Sequence, residues 1–122
     1  MKRLPETELE VMKAVWKFGE GATRPELEQE LSHLNWASTT VNTYLTRLVK
    51  KEFLSVEHAP RGNRYTPLVS EEEYQTFDSK AVLDQLYGSP RNFVAALARG
   101  GMKKRDMDQL RALLNELEGQ NE

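Results

Sequence analysis

The sequence predicts a mainly α-helical chain with one small β-hairpin and two lobes. Apolar residues recur at helical spacing over residues 6–51, strand-like segments follow between residues 53 and 69, and helical spacing returns from residue 70. We therefore expect one lobe over residues 1–69 and a second, helical lobe over residues 70–122. A chain of 122 residues is long enough for two small lobes.

Composition excludes several classes of protein. The longest apolar stretches, such as Phe93–Ala98, fall far short of the roughly 20 residues that a membrane-spanning helix needs. The first residues, 1–3, lead into no apolar signal segment. The chain contains no cysteine, which excludes disulfides, thiolate metal sites and cysteine nucleophiles. We expect a cytoplasmic protein without membrane insertion.

The first two helices are predicted from apolar spacing and end signals. Helix 1 should run over about residues 6–18, after Pro5 and before Gly19. Thr23-Arg24-Pro25-Glu26 has the pattern of a capping box, in which a threonine hydroxyl and a glutamate side chain satisfy each other's backbone N–H groups. Helix 2 should begin there. The chain then breaks at residues 35–38, where the cap of the next helix is ambiguous between Ala37 and Ser38.

The third helix, over about residues 36–51, has two contrasting faces. Val41, Leu45 and Leu48 fall within a narrow arc and predict the core face. The opposite face carries Thr39, Thr43, Thr46 and Lys50, flanked by Asn42 and Arg47. Solvated helix faces normally include acidic residues, as the first two helices do, and this face includes none. The pattern favours DNA contact over an ordinary solvated face.

The net charge of −2 is unevenly distributed along the chain, which includes a local basic region. Residues 4–35 carry three basic and seven acidic side chains, whereas residues 36–67 carry five basic and two acidic ones. Phosphate binding requires positive charge only where the nucleic-acid backbone passes. An acidic remainder is therefore compatible with a DNA-binding segment at residues 36–67.

A two-stranded hairpin is predicted after the third helix. Residues 53–58 and 64–69 have strand-like character, and a turn at residues 59–63 separates them. Pro67 cannot donate to a ladder, so its strand should lie at an edge or end near this residue. Three helices followed by a hairpin is the order of a winged helix-turn-helix domain. Arg61 and Arg64 would then lie on the wing, although an ordinary solvated turn explains them equally well.

The second lobe carries more apolar surface than it can cover. A second capping box at residues 70–73 should begin a helix that runs to about Tyr87, and a short apolar helix at residues 93–98 and an amphipathic last helix should follow. We expect this surface to form a homodimer, the alternative being that the lobe folds back on its own winged domain. The predicted dimerisation residues are Tyr74, Phe77, Val82, Leu83, Leu86, Tyr87, Phe93, Leu97, Leu110, Leu113, Leu114 and Leu117.

Four segments resemble the penicillinase and methicillin-resistance repressors, the BlaI/MecI-type family of winged-helix repressors. These segments are residues 8–16 with Trp16, residues 36–51 with Trp36 and Thr46-Arg47-Leu48, Tyr65 with Leu68-Val69, and residues 110–114. The resemblance covers about residues 4–117. Ala37 departs from the family, which usually has serine at this position.

The resemblance implies a homodimer that binds a palindromic operator on double-stranded DNA and represses transcription. In antibiotic-responsive members, signalling from a membrane sensor leads to proteolysis in the C-terminal lobe, so a sensor-linked protease is an implied partner. The family's cleaved Asn-Phe bond aligns with Ala96-Leu97 here, while Asn92-Phe93 lies four positions earlier. Either bond is a candidate. Copper-responsive members use C-terminal cysteines, which this chain lacks.

On this interpretation, base readout comes from the third helix. Arginine pairs bidentately with guanine, asparagine with adenine, and threonine contacts the thymine methyl. The predicted base-reading residues are Asn42, Thr43, Thr46 and Arg47. The predicted DNA-backbone contacts are Thr39, Thr40, Lys50, Lys51, Arg61 and Arg64.

Other functions have weaker support in the sequence. The two histidines, His33 and His58, stand in no metal-ligand or nucleophile pattern, and the acidic run at residues 71–73 is explained by a helix cap and the helix dipole. We therefore expect no enzyme, no metal and no cofactor. Two alternatives stay open: a winged helix that contacts protein, and a regulator with a small-molecule site between its lobes.

Overall fold

The computed structural model describes residues 1–120, which form six α-helices and three short strands. The helices are α1 (Glu6–Lys17), α2 (Arg24–Glu30), α3 (Ser38–Lys50), α4 (Glu71–Val82), α5 (Pro90–Arg99) and α6 (Lys104–Gln120), and the strands are β1 (Ala22–Thr23), β2 (Leu54–Glu57) and β3 (Arg64–Pro67). A 3₁₀ turn at Ser32–Leu34 follows α2, and a π turn at Leu83–Tyr87 follows α4. This order confirms the predicted fold class. Two helices differ from their predicted bounds: α4 ends at Val82 before the π turn instead of running to about Tyr87, and α5 begins at Pro90 instead of Phe93.

Local hydrogen bonds explain where α2 and α3 begin. The predicted capping box is present: the Thr23 hydroxyl accepts from the Glu26 N–H at 3.4 Å, and the Glu26 carboxylate accepts from the Thr23 N–H at 2.9 Å. Asn35 ends the 3₁₀ turn in the left-handed region, at φ 57°. Ala37 is the N-cap of α3 and provides no side-chain bond. This resolves the predicted ambiguity, since Ser38 is already the first helical residue.

The wing belongs to a three-stranded antiparallel sheet in the order β1-β3-β2. The prediction of a two-stranded hairpin was therefore incomplete: Ala22 pairs with Tyr65 on one side of β3, and Val56 pairs with Tyr65 on the other. A strand of two residues is too short to show an alternating pattern. Strand β3 is central, and proline cannot donate to a ladder inside a central strand. Pro67 is tolerated because it is the last residue of β3, which was one of the two predicted positions.

The core of the first unit joins α1, α2, α3 and the sheet. Met12, Leu27, Leu45 and Leu48 are completely buried, and Tyr74 from α4 packs among the same residues. The Tyr74 hydroxyl accepts a hydrogen bond from the Leu4 N–H at 2.7 Å. The first compact unit consequently comprises residues 1–79, extending past the predicted boundary after residue 69.

Two of the predicted site residues take part in this packing. Tyr74, expected at a dimer interface, is 4% exposed within the core of the first unit, and Phe77 stacks on its ring with centroids 6.1 Å apart. Lys51, expected on DNA phosphate, donates to the carboxylate of Glu8 at 2.6 Å. Glu8 is buried, so its charge requires this partner. Tyr74 and Lys51 therefore serve the fold.

The second compact unit, residues 80–122, is described as far as residue 120 and holds α5 and α6. The Ser89 hydroxyl caps α5 by accepting from the Asn92 N–H at 3.2 Å. The rings of Tyr87 and Phe93 meet edge to face at 4.9 Å. Along the part of the chain described, no helix is both long enough and apolar enough to span a bilayer.

Candidate nucleic-acid interface

The two faces of α3 are separated as the sequence predicts. Val41, Leu45 and Leu48 are buried against the core, and the opposite face is open to solvent. Thr40 is half-buried at the border between the faces. The exposed side chains of this face, here called the α3 face, are Thr39, Asn42, Thr43, Thr46, Arg47 and Lys50. The structure thus brings all four predicted base-reading residues onto one accessible surface.

Arg47 is the most prominent cation of the α3 face. Its guanidinium carbon lies 5.9 Å from the centre of the Tyr44 ring, and Tyr44 itself meets Trp36 edge to face at 5.2 Å. This stacking guides the arginine stem over an aromatic surface. Within residues 1–120, no carboxylate pairs with Arg47. Its donors are therefore available to a ligand on this face.

The Thr43 side chain is oriented by the helix. Its hydroxyl donates to the Thr39 carbonyl oxygen at 3.0 Å. This bond uses the hydroxyl proton, so Thr43 can offer a ligand only an acceptor oxygen and a methyl group. Both groups suit a base edge, because a thymine methyl packs on the threonine methyl and the amino groups of adenine and cytosine donate hydrogen bonds.

The wing turn is fastened to the start of α2. The Asn63 carbonyl oxygen accepts from the Arg24 N–H at 2.9 Å. Gly62 has φ 120°, and a Cβ added there would lie 3.3 Å from the Pro25 ring. The turn therefore requires glycine for its backbone and for its close approach. Arg61 and Arg64 stay exposed on the wing, where a nucleic-acid backbone can reach them.

An open cleft separates α3 from the wing. It is lined by Asn42, Thr46, Val49, Val56, His58, Asn63 and Tyr65. Of these, His58 was assigned no role by the sequence; its ring Nδ1 lies 3.1 Å from the Asn63 Oδ1. The cleft runs between the α3 face and the wing, and its lining combines polar side chains such as Asn42 and Asn63 with apolar ones such as Val49 and Val56.

Sequence reasoning missed Arg24, which connects α2 to α3. Its guanidinium donates to the Glu28 carboxylate at 3.1 Å, to the Asn42 Oδ1 at 3.0 Å and to the Ser38 carbonyl oxygen at 2.8 Å. One signal was available. A cation in the first turn of a helix opposes the helix dipole, so an arginine at this position needs partners elsewhere.

Glu28 completes this network. It accepts from the Ser38 hydroxyl at 2.6 Å and from Arg24. These contacts, with the Ser38 hydrogen bond as the largest influence, lower the pKa of the Glu28 carboxyl below its ordinary value. The positive charge of Arg24 is therefore balanced locally, and the net positive charge near the α3 face comes from Arg47, Lys50, Arg61 and Arg64.

No metal centre competes with this surface in the described part of the chain. Among residues 1–120, no three His, Cys, Asp or Glu side chains are grouped so that they could hold a metal ion. The surface is instead built from hydroxyls, one amide and exposed cations, which are the groups that contact base edges and phosphates.

This chain is similar in sequence to proteins of one known family. The family model described as "Penicillinase repressor" matches residues 4–116. The penicillinase repressor of Bacillus licheniformis is 33% identical over 95 residues, which cover 75% of this chain and 74% of the relative.

Two solved structures are similar to about three fifths of this chain. The monomeric form of the B. licheniformis repressor BlaI, in complex with the blaP half-operator, has a TM-score of 0.51 and 36% identity, and covers 60% of this chain and 89% of that one. The DNA-binding domain of the repressor BlaI has a TM-score of 0.53 and 37% identity, covering 61% and 94%. The chain therefore belongs to the penicillinase repressor family of winged-helix, DNA-binding transcriptional repressors, which are not enzymes.

Proposed function

We propose that this chain represses transcription as a homodimer that reads a palindromic operator, with α3 in the major groove and the wing on the flanking backbone. The observation that carries the proposal is the α3 face, an acid-free exposed surface whose C-terminal end carries Arg47 and Lys50, neither of which forms an ion pair within residues 1–120. BlaI, a relative, is described on a half-operator as a monomer. One winged unit for each half-site follows naturally for this chain.

Phosphate contacts are assigned to the cations that surround the base-reading residues. Lys50, Arg61 and Arg64 are exposed, and each releases counterions when it neutralises a phosphate. Thr39 and Thr40 lie in the first turn of α3 and are assigned to the backbone as well, since helix N-termini favour phosphate. Lys51 is left out because it pairs with buried Glu8.

Dimerisation is assigned to the second unit. Its apolar side chains are exposed far beyond what a monomer needs: Leu86 is 73% exposed, Leu114 50% and Leu113 48%. Large exposed apolar patches mark protein interfaces. The exposed apolar side chains Leu86, Leu97, Met107, Leu113, Leu114 and Leu117 are here together called the apolar stripe.

Dimerisation would control repression through avidity. When two winged units are held together, the second half-site contact becomes intramolecular, which raises affinity by about 10² or more. Any event that separates the second units therefore releases the operator, because a single winged unit keeps only half of the contacts.

Proteolysis in α5 is proposed as such an event. Asn92-Phe93 lies in the first turn, where the Asn92 amide donates to the Tyr87 carbonyl oxygen at 2.9 Å. Ala96-Leu97 lies near the end of α5, before Gly100-Gly101, and Leu97 is 47% exposed. Helix ends open more easily than capped first turns, so Ala96-Leu97 is the preferred bond.

The proposal is tested by selecting duplexes from a random-sequence library with the full chain and measuring affinity against salt concentration. Six phosphates neutralised by a dimer, three for each α3 and wing, predict a log–log slope of about −5. Absence of any enriched sequence, or a slope near zero, would refute operator binding.

For the cleavage site, thermolysin, which cuts before Leu and Phe, should cut first before Leu97. First cleavage before Phe93 would contradict that assignment.

A further inference from the structure

We propose that Arg24 is a positioning residue for base readout: it holds the Asn42 amide so that Asn42 meets the major groove as a hydrogen-bond donor. The inference rests on the proposed function and deepens it. It concerns the specificity of one contact, which the pairing rule of asparagine with adenine leaves undefined.

The amide orientation follows from chemistry. The Arg24 Nη1 lies 3.0 Å from the Asn42 Oδ1. A guanidinium has only donors, so the amide atom facing it must be the oxygen. The positions of the amide oxygen and nitrogen are therefore assigned: the oxygen faces Arg24, and the Nδ2 with its two hydrogens lies on the other side. Asn42 lies on the exposed α3 face, so this donor is the arm left for DNA.

Arg24 is itself held firmly enough to impose this orientation. Its guanidinium also binds the Glu28 carboxylate and the Ser38 carbonyl oxygen, and its backbone N–H binds the Asn63 carbonyl oxygen. The side chain is only 20% exposed. Three different elements, α2, α3 and the wing turn, therefore fix the arginine before any DNA arrives, and such preorganisation is what a precise contact requires.

The consequence concerns which base Asn42 accepts. Bidentate pairing with adenine needs the amide oxygen to accept from the adenine 6-amino group while the amide nitrogen donates to N7. With the oxygen turned to Arg24, Asn42 faces the groove chiefly through its Nδ2 donor. Purine N7, guanine O6 and thymine O4 are the acceptors in the major groove. The preference for adenine that comes from bidentate pairing is therefore lost at this position.

The test compares base preferences selected from a random duplex library by the full-length wild type, Arg24→Met and Asn42→Ala. The position read by Asn42 is the one whose preference disappears in Asn42→Ala. In Arg24→Met the freed amide can pair bidentately, so the preference for adenine over guanine should rise by about fivefold or more, the worth of one hydrogen bond. Lys13→Met removes the same charge from an exposed position of α1 and should leave the preference unchanged.

A second measurement uses the wild-type chain at the position located with Asn42→Ala, so it does not depend on the folding of Arg24→Met. On the selected duplex, a 7-deazapurine at the Asn42 position should weaken binding about fivefold where the selected base is a purine. A purine without its 6-amino group should bind as adenine does. Where the selected base is a pyrimidine, removal of the thymine O4 acceptor replaces the first modification.

The outcomes separate the two proposals. If the wild type enriches no sequence, operator binding itself fails. If it enriches an operator but loses affinity on removal of the adenine 6-amino group, or if Arg24→Met weakens every sequence equally without changing base preference, then operator binding stands and the role of Arg24 is overturned.

Discussion

The ammonium of Lys51 lies 2.6 Å from the carboxylate of Glu8, and this pair ties the C-terminal end of α3 to α1. The Glu8 side chain is 3% exposed and the Lys51 side chain 43% exposed, so the acid is buried while the base reaches it from the surface. Helix α3 is thus attached to the core by a charge pair as well as by apolar packing.

Lys51→Met should lower the free energy of unfolding by about 2 kcal/mol, because it leaves a buried carboxylate without its cation. The neighbouring Lys50→Met, on the exposed face, should change stability by less than about 0.5 kcal/mol. Urea unfolding followed by circular dichroism checks both values. Equal stability of the two variants would mean that Glu8 finds another partner or solvent.

Arg47→Ala should weaken binding to the selected operator by about 1 to 3 kcal/mol and weaken random DNA much less, because it removes a base contact. Lys50→Ala should weaken both kinds of DNA similarly and reduce the salt slope by about 1 for each site. Fluorescence anisotropy on operator and scrambled duplexes measures the difference. Equal losses for Arg47→Ala on both duplexes would contradict its base-reading role.

Tyr74→Phe should lower the free energy of unfolding by about 1 kcal/mol, because the Leu4 N–H loses its acceptor. The dimer dissociation constant should stay the same, since Tyr74 lies in the core of the first unit. Thermal unfolding and sedimentation equilibrium give the two quantities. A weakened dimer with unchanged stability would contradict this prediction and favour a place for Tyr74 at the dimer interface.

Leu113→Glu should convert the chain to a monomer at micromolar concentration, because a charge in the apolar stripe cannot be buried without a partner. Ala112→Glu adds the same charge on the opposite side of α6 and should leave the dimer intact. Sedimentation velocity distinguishes the two species, and operator affinity should fall by about 10² for Leu113→Glu alone. A wild-type chain that sediments as a monomer would refute the dimer.

Acid should weaken the link between α2 and α3. The pKa of Glu28 is lowered mainly by the hydrogen bond from Ser38, so its folded-state pKa lies below the unfolded value near 4.5. Its stabilising contribution is therefore complete above about that pH and is lost as the pH falls through the lower folded-state pKa. Ser38→Ala should reduce the loss of stability between pH 5 and about pH 3 in urea titrations. An unchanged pH profile would show that the bond does not set this pKa.

Sequence patterns predicted the helices well because their signals are local. The capping boxes at Thr23 and Ser70 involve residues three positions apart, and each forms as expected. The α3 face was predicted for the same reason, since helical geometry places Thr39, Thr43 and Thr46 together whatever surrounds them. Periodicity therefore determined both the core face and the exposed face of α3.

Such local patterns did not predict the long-range contacts. Arg24 and Asn42 are 18 positions apart, and Glu8 and Lys51 are 43 apart. Whether a surface cation meets DNA or a buried acid depends on which helices pack together, and helical spacing carries no information about that. Strand β1 escaped prediction because two residues form no pattern until β3 pairs with them.

The amino-acid order alone was sufficient to establish the winged-helix class, the acid-free surface of α3 and an excess of apolar residues in the second unit. Only the packed structure showed that Tyr74 and Lys51 contribute to the fold and that Arg24 holds the amide oxygen of Asn42. The physical reason is that propensity, capping and periodicity act within a few residues, whereas burial and hydrogen-bond partners arise where distant segments meet.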